Sequence, residues 1–140
     1  MSNEVKVKNI IKFMIKDFLI ISCIGKIDLL GLKLNNEFFI HKLVKDIKNN
    51  ETLTTNILNF IKKNNVNIDN NFSIIVNQGP GRFSAIRKSL AIAKGIKISK
   101  GAKLYGYKET QLSEFNLENI DLLIKKKYLE NKLIKPVYIS

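Results

Sequence analysis

The apolar residues of this chain fall into short blocks separated by turn-forming residues. Residues 18–24 form an unbroken apolar run of strand length, the pattern of a strand buried on both faces. A Gly25-Lys26 turn leads into 27–34, with leucines at 29, 30, 32 and 34. An Asn35-Asn36 turn then leads into 37–44, which holds Phe38, Phe39, Ile40, Leu43 and Val44. Three strands joined by two short turns predict an antiparallel meander, with the single histidine, His41, at an edge or surface position of its third strand. After a polar break at 45–50 the period lengthens. Leu53, Ile57, Leu58, Phe60 and Ile61 share one face of a helix predicted over 51–63, capped by Asn50, while Thr55, Asn56, Asn59 and Lys62 face outward. An Asn-rich loop (64–71) precedes a fourth apolar run at 72–76, a second helix over 82–98 and a fifth strand over 102–107.

The order β-β-β-α-β-α-β predicts an α/β domain over 17–107 with a mixed five-stranded sheet, because a strand that follows a helix returns by a crossover to pair in parallel. Residues 1–16 read as an extension before the first strand, with Met14 as an alternative start. Residues 108–140 read as a shortened C-terminal helix and tail: a short helix over 109–115, a longer one over 119–133 stopped by Pro136, and Val137-Tyr138-Ile139 as a terminal strand or extended tail.

The densest pattern lies where the fourth strand meets the second helix. Gly79, Pro80 and Gly81 make a tight strand-to-helix turn, aiming the free N–H groups of the next helical turn at one point where an anion could sit. At about 100° per residue, Phe83, Ala85, Ile86, Leu90, Ile92, Ala93 and Ile96 fill one side of the helix, broad enough to lie on a sheet. The other side carries Ser84, Ala91 and Gly95 in line, flanked by Arg87, Lys88 and Lys94. Read from the wheel alone, this is first of all a solvated face; small residues in a row also let another backbone approach closely.

Composition changes this picture little. The chain has 140 residues, 45% of them hydrophobic, enough for one domain with a real core. A net charge of +12 permits an anionic partner, but the lysines are spread along the chain, and residues 125–127 are the only run of three. Cys23 is the single cysteine, which excludes a disulfide framework and a cysteine-based metal site. One histidine excludes any site that needs two from one chain. No apolar run approaches the roughly 18 residues of a membrane span, and the expected compartment is the cytoplasm.

Residues 79–97, GPGRFSAIRKSLAIAKGIK, resemble the helix motif of the TsaB (YeaZ) family of the actin-like ATPase superfamily, which runs approximately GPGSFTGLRIGLATAKGLA. Gly79, Pro80, Gly81, Phe83, Arg87, Leu90, Ala91, Ala93, Lys94 and Gly95 match, with Ser84 in place of threonine. The strand and helix order is that of the superfamily's N-terminal, ribonuclease H-like lobe, and residues 136–139 (PVYI) are similar to the family's PVYLR ending. The departures are equally specific. Most of a second lobe is absent between about 109 and 133, and Ser22 stands where the superfamily's first strand ends in an aspartate. Arg82 replaces a small hydroxyl residue at the helix N-terminus, where its charge opposes the dipole. Ala85 and Ser89 replace glycines.

The resemblance implies a catalytically silent subunit of the machinery that makes threonylcarbamoyladenosine beside the tRNA anticodon. It implies pairing with a TsaD-like catalytic subunit through the two lobe helices, with a TsaE-like ATPase as a further partner and tRNA met indirectly through the complex. The implied interface comprises Thr55, Asn59, Lys62, Ser84, Arg87, Lys88, Ala91, Lys94 and Gly95. No catalytic residue, metal or resident cofactor is implied, though ATP or ADP could bind at a partner interface, and the chain could pair with itself when no partner is present. Two further readings stay open on the same residues. One is a small ATPase using residues 79–81 as a phosphate cradle, although no G-x-x-x-x-G-K-[ST] motif is present. The other is a stand-alone basic RNA-binding module, with Lys62, Lys63, Arg87 and the lysines of 125–127 as contacts but no recognisable RNA-binding motif.

Overall fold

The computed structural model describes residues 15–25, 27–43 and 52–138. Five strands form one mixed sheet in the order β3-β2-β1-β4-β5: β1 (Phe18–Cys23), β2 (Asp28–Leu34), β3 (Glu37–Leu43), β4 (Ser73–Asn77) and β5 (Lys103–Tyr107). The first three are the antiparallel meander read from the turns, and β4 and β5 add in parallel beside β1. Asn35 and Asn36 both take positive φ, as a tight hairpin demands. Every residue of β1 is buried, which explains its unbroken apolar run, whereas β3 at the sheet edge is exposed except at half-buried Phe38 and buried Leu43. His41 is accordingly on an edge strand, stacked on Phe60 at 5.0 Å between ring centres.

Helices α1 (Leu53–Lys63) and α2 (Phe83–Lys100) cover one face of the sheet, and α3 (Leu117–Lys125) covers the other. Alternation along the strands divides the core accordingly. Leu19, Ile21, Cys23, Ile74 and Val76 point to α1 and α2, and Phe18, Ile20, Ile75 and Tyr107 point to α3. The single cysteine is thus a buried strand residue.

The structure corrects several boundaries. The predicted start of α1 at Glu51 and its Asn50 cap lie outside the described residues; the helix begins at Leu53, and Thr52 is its cap, its Oγ1 accepting from the Thr55 N–H at 3.2 Å. Helix α2 runs two residues beyond the predicted 98, to a left-handed Gly101 whose N–H bonds the Lys97 carbonyl at 2.9 Å. Residues 109–115 form only a 3₁₀ turn (Glu109–Gln111). The helix expected over 119–133 spans Leu117–Lys125, capped by Asn116, whose Oδ1 accepts from the Asn119 N–H. It ends early because Lys127 turns to positive φ and Glu130 then pairs with Gly106 on the outer edge of β5, two backbone bonds of 2.7 and 2.8 Å. The Lys132 N–H, ahead of its neighbours, bonds the exposed Glu130 side chain and holds that carboxyl below the usual carboxylate range.

Candidate functional site

Two regions concentrate features that the core does not need. The first is the outer surface of α1 and α2. Along α2 the buried row is Ile86, Ser89, Leu90, Ala93 and Ile96. Phe83, expected in that row, is 52% exposed, and Ser89 takes an inner place by donating its hydroxyl to the Ile86 carbonyl at 3.0 Å. Leu58 of α1, expected on the core face, is 49% exposed. It looks across to α2 over an open groove of about 440 Å³ lined by Thr54, Leu58, Lys88, Ala91, Ile92, Gly95, Ile96 and Ser99. A Cβ built at Gly95 would meet nothing within 4 Å, so the helix is open to a neighbouring backbone there.

Of the interface residues inferred from the sequence, Lys88, Ala91 and Gly95 line this groove. Ser84, Arg87 and Lys94 lie exposed on the same helix, and Lys62 stands exposed one turn beyond Leu58. Thr55 is drawn into the cap of α1 by a 2.9 Å bond between its hydroxyl and that of Thr52. Asn59 faces a different cleft, between α1 and β3, shared with Phe39, His41 and Lys63. Thr54, Leu58, Ile92, Ile96 and Ser99 complete the groove and were not inferred as interface residues; the i, i+4 spacing of Thr54 and Leu58 is the signal for the first two.

The second region is the carboxyl end of the parallel strands, where open α/β sheets place their ligands. Ser22, Asn77 and Tyr107 stand side by side there on β1, β4 and β5. Asn77 donates its side-chain amide to Ser22 Oγ at 3.1 Å and to Glu109 Oε2 at 2.5 Å, and its Oδ1 accepts from the Gly79 N–H at 2.9 Å. The Tyr107 hydroxyl is fully buried near Ser22 and Asn77 but completes no hydrogen bond of good geometry. Burial drives its pKa far above the ordinary tyrosine value; the neighbouring Ser22 hydroxyl offsets this in part, and Glu109 adds to it. Ser22, Asn77, Glu109 and the Gly79 amide are therefore tied to one another while the Tyr107 hydroxyl is left out, and β1 presents the Ser22 hydroxyl rather than a carboxylate at this end.

The Gly79–Pro80–Gly81 turn links the two regions, with a cis bond between Gly79 and Pro80. It is packed rather than open. A Cβ at Gly79 would lie 2.6 Å from Ile86 Cδ1, and one at Gly81 would lie 2.5 Å from the Ile24 carbonyl oxygen. The Arg82 N–H donates to that same Ile24 carbonyl at 2.6 Å, so the amides of Gly79 and Arg82 are both committed within the chain. The tail holds the turn from outside: the Val137 N–H bonds the Gln78 carbonyl at 2.8 Å, and Gln78 Nε2 bonds the Lys135 carbonyl at 2.9 Å. Phe83 stacks on Tyr138 at 5.1 Å with the Arg87 guanidinium 5.2 Å above its ring.

Among the described residues no helix is long and apolar enough to cross a membrane, and no three His, Cys, Asp or Glu side chains gather into a metal-binding group. No family model and no curated protein matches the chain. Among solved structures it is similar to YeaZ from Pseudomonas aeruginosa, at 14% identity and a TM-score of 0.57, over 69% of this chain and 45% of YeaZ. A second structure, described as an uncharacterized protein with similarity to peptidase YEAZ from Pseudomonas aeruginosa, matches at the same identity and TM-score over 69% of this chain and 44% of its own. The chain thus spans less than half the length of the structures it resembles, and what it shares with them is a fold: one YeaZ-like α/β lobe.

Proposed function

We propose that this chain is a docking subunit without chemistry of its own, acting in the TsaB-like role within tRNA threonylcarbamoyladenosine synthesis and pairing with a TsaD-like catalytic protein through α1 and α2. The observation that carries this reading is the open groove between the two helices, where Ala91 and Gly95 leave the backbone of α2 accessible beside an exposed Leu58. Exposed aliphatic surface flanked by small residues is costly in water unless a partner covers it. The YeaZ-like fold supports the choice of partner class, and the self-satisfied row at Ser22, Asn77 and Glu109 supports a silent role. Ser22 and Arg82 argue in the same direction.

The test is co-purification with the TsaD-like protein of the same cell. The wild-type chain is expected to hold it, and Gly95→Trp or Ala91→Leu is expected to lose it while unfolding at the wild-type temperature, since both positions are exposed. Normal pairing by both variants would remove this face from the interface.

A further inference from the structure

The basic residues, scattered in the sequence, are gathered by the fold. Residues 52–108 hold ten lysines and arginines against one carboxylate, Asp69, and so carry +9 of the chain's +12. Neither α1 nor α2 contains an aspartate or glutamate. Lys88 lines the groove, and Lys62, Arg87 and Lys94 are exposed elsewhere on the outer surface of the same two helices. The opposite layer has the reverse bias: residues 109–130, which include α3, carry five carboxylates and three lysines.

We infer that the α1–α2 face is built for a protein partner whose own helical surface is apolar at the centre and acidic at the rim, and against a second copy of this chain. The inference rests on the docking reading above and adds the partner's chemistry to it. A two-fold pairing of this face with itself would set lysine and arginine against lysine and arginine across an aliphatic seam, with no carboxylate from either helix to separate them. Like charges brought together at an interface rim suppress the wrong partner, and opposite charges speed the right one. RNA would also answer the charge, but the groove floor is Leu58, Ala91, Ile92, Gly95 and Ile96. It offers no aromatic ring on which a base could stack. Aliphatic side chains and an open glycine suit a helix instead.

The experiment has two arms, both with the full chain. Sedimentation velocity of the chain alone at 50 mM and 500 mM NaCl is expected to show monomer at the lower salt, with any self-association appearing only at the higher. Titration against the purified TsaD-like protein of the same cell is expected to show the opposite salt dependence, with affinity about tenfold weaker at the higher salt. Lys88→Glu/Lys94→Glu is expected to weaken that binding at least about tenfold at 50 mM salt, while Lys103→Glu, an exposed charge on β5, leaves it unchanged. Dimerisation at low salt would overturn the inference, as would partner binding indifferent to salt and to the two glutamates. Binding of unmodified tRNA in competition with the protein partner would overturn it in favour of RNA. Failure of the wild-type chain to bind the TsaD-like protein under any salt would sink the docking reading itself, whereas charge-indifferent binding sinks only the claim about the rim.

Discussion

Tyr107 shows what a single residue contributes and costs. Its ring fills the core under α3, yet its hydroxyl is buried without a well-formed hydrogen bond. An unmet buried hydroxyl costs about 1–3 kcal/mol, so Tyr107→Phe is expected to raise stability by about 1 kcal/mol in urea unfolding. The same group makes stability pH-dependent, with a definite sign. Its folded pKa is raised by burial, so above about pH 10 an unfolded tyrosine releases a proton that the folded one keeps. The contribution of neutral Tyr107 is therefore full below that pH and falls above it, by up to about 1.4 kcal/mol per pH unit. The phenylalanine variant should flatten that alkaline slope, leaving only the part due to Tyr105, whose pKa burial also raises. None of this was legible in the sequence, which shows a tyrosine closing an apolar strand and says nothing about the polar neighbours that β1 and β4 bring beside it. Leu58 and Phe83 escaped for a related reason. A helical wheel ranks residues by angle, but the width of the buried arc depends on how the neighbouring helix is seated.

At the scale of elements, strands β1 and β4 were readable because a strand buried on both faces must be continuously apolar. The meander was readable because its turns need residues tolerant of positive φ, as Asn35 and Asn36 are. The length of α3 was not, since its local pattern continues past Lys125 and only a distant bond to Gly106 unwinds it. Helix α2 offers a paired prediction from its two glycines. Gly95 sits in helical backbone with open space around it, so Gly95→Ala should raise stability by about 0.5–1 kcal/mol. Gly101 holds φ 75 as the left-handed cap, so Gly101→Ala should lower stability by about 1 kcal/mol. Thermal unfolding of the two variants, expected to shift in opposite directions, checks both. Alanine at position 95 should leave docking intact, because it keeps the groove small-sided where tryptophan would fill it.

For the whole molecule, the sheet order and the single YeaZ-like lobe follow from an element order that the chain displays openly. The segregation of charge was hidden, because lysines far apart in sequence meet only when α1 and α2 lie on one face. The role of the tail was hidden too. A segment with Pro136 reads as a stop, yet Ile134 is buried in the core beneath α1 and α2, and residues 135 and 137 bond Gln78. Ile134→Ala is therefore expected to cost about 2–3 kcal/mol. It should also speed hydrogen exchange at the Arg82 and Ile86 amides, measured by mass spectrometry, more than at those of β1.

That tail has a consequence for the order in which the protein is made. Residues 78–82 set the direction of α2, and part of what fixes them, the two bonds that Lys135 and Val137 make to Gln78, comes from residues translated more than fifty positions later. A chain still growing on the ribosome carries α1 and α2 before the tail has bonded the turn that leads into α2. On the docking reading, the face between α1 and α2 reaches its final alignment only after residues 134–138 have emerged and bonded Gln78.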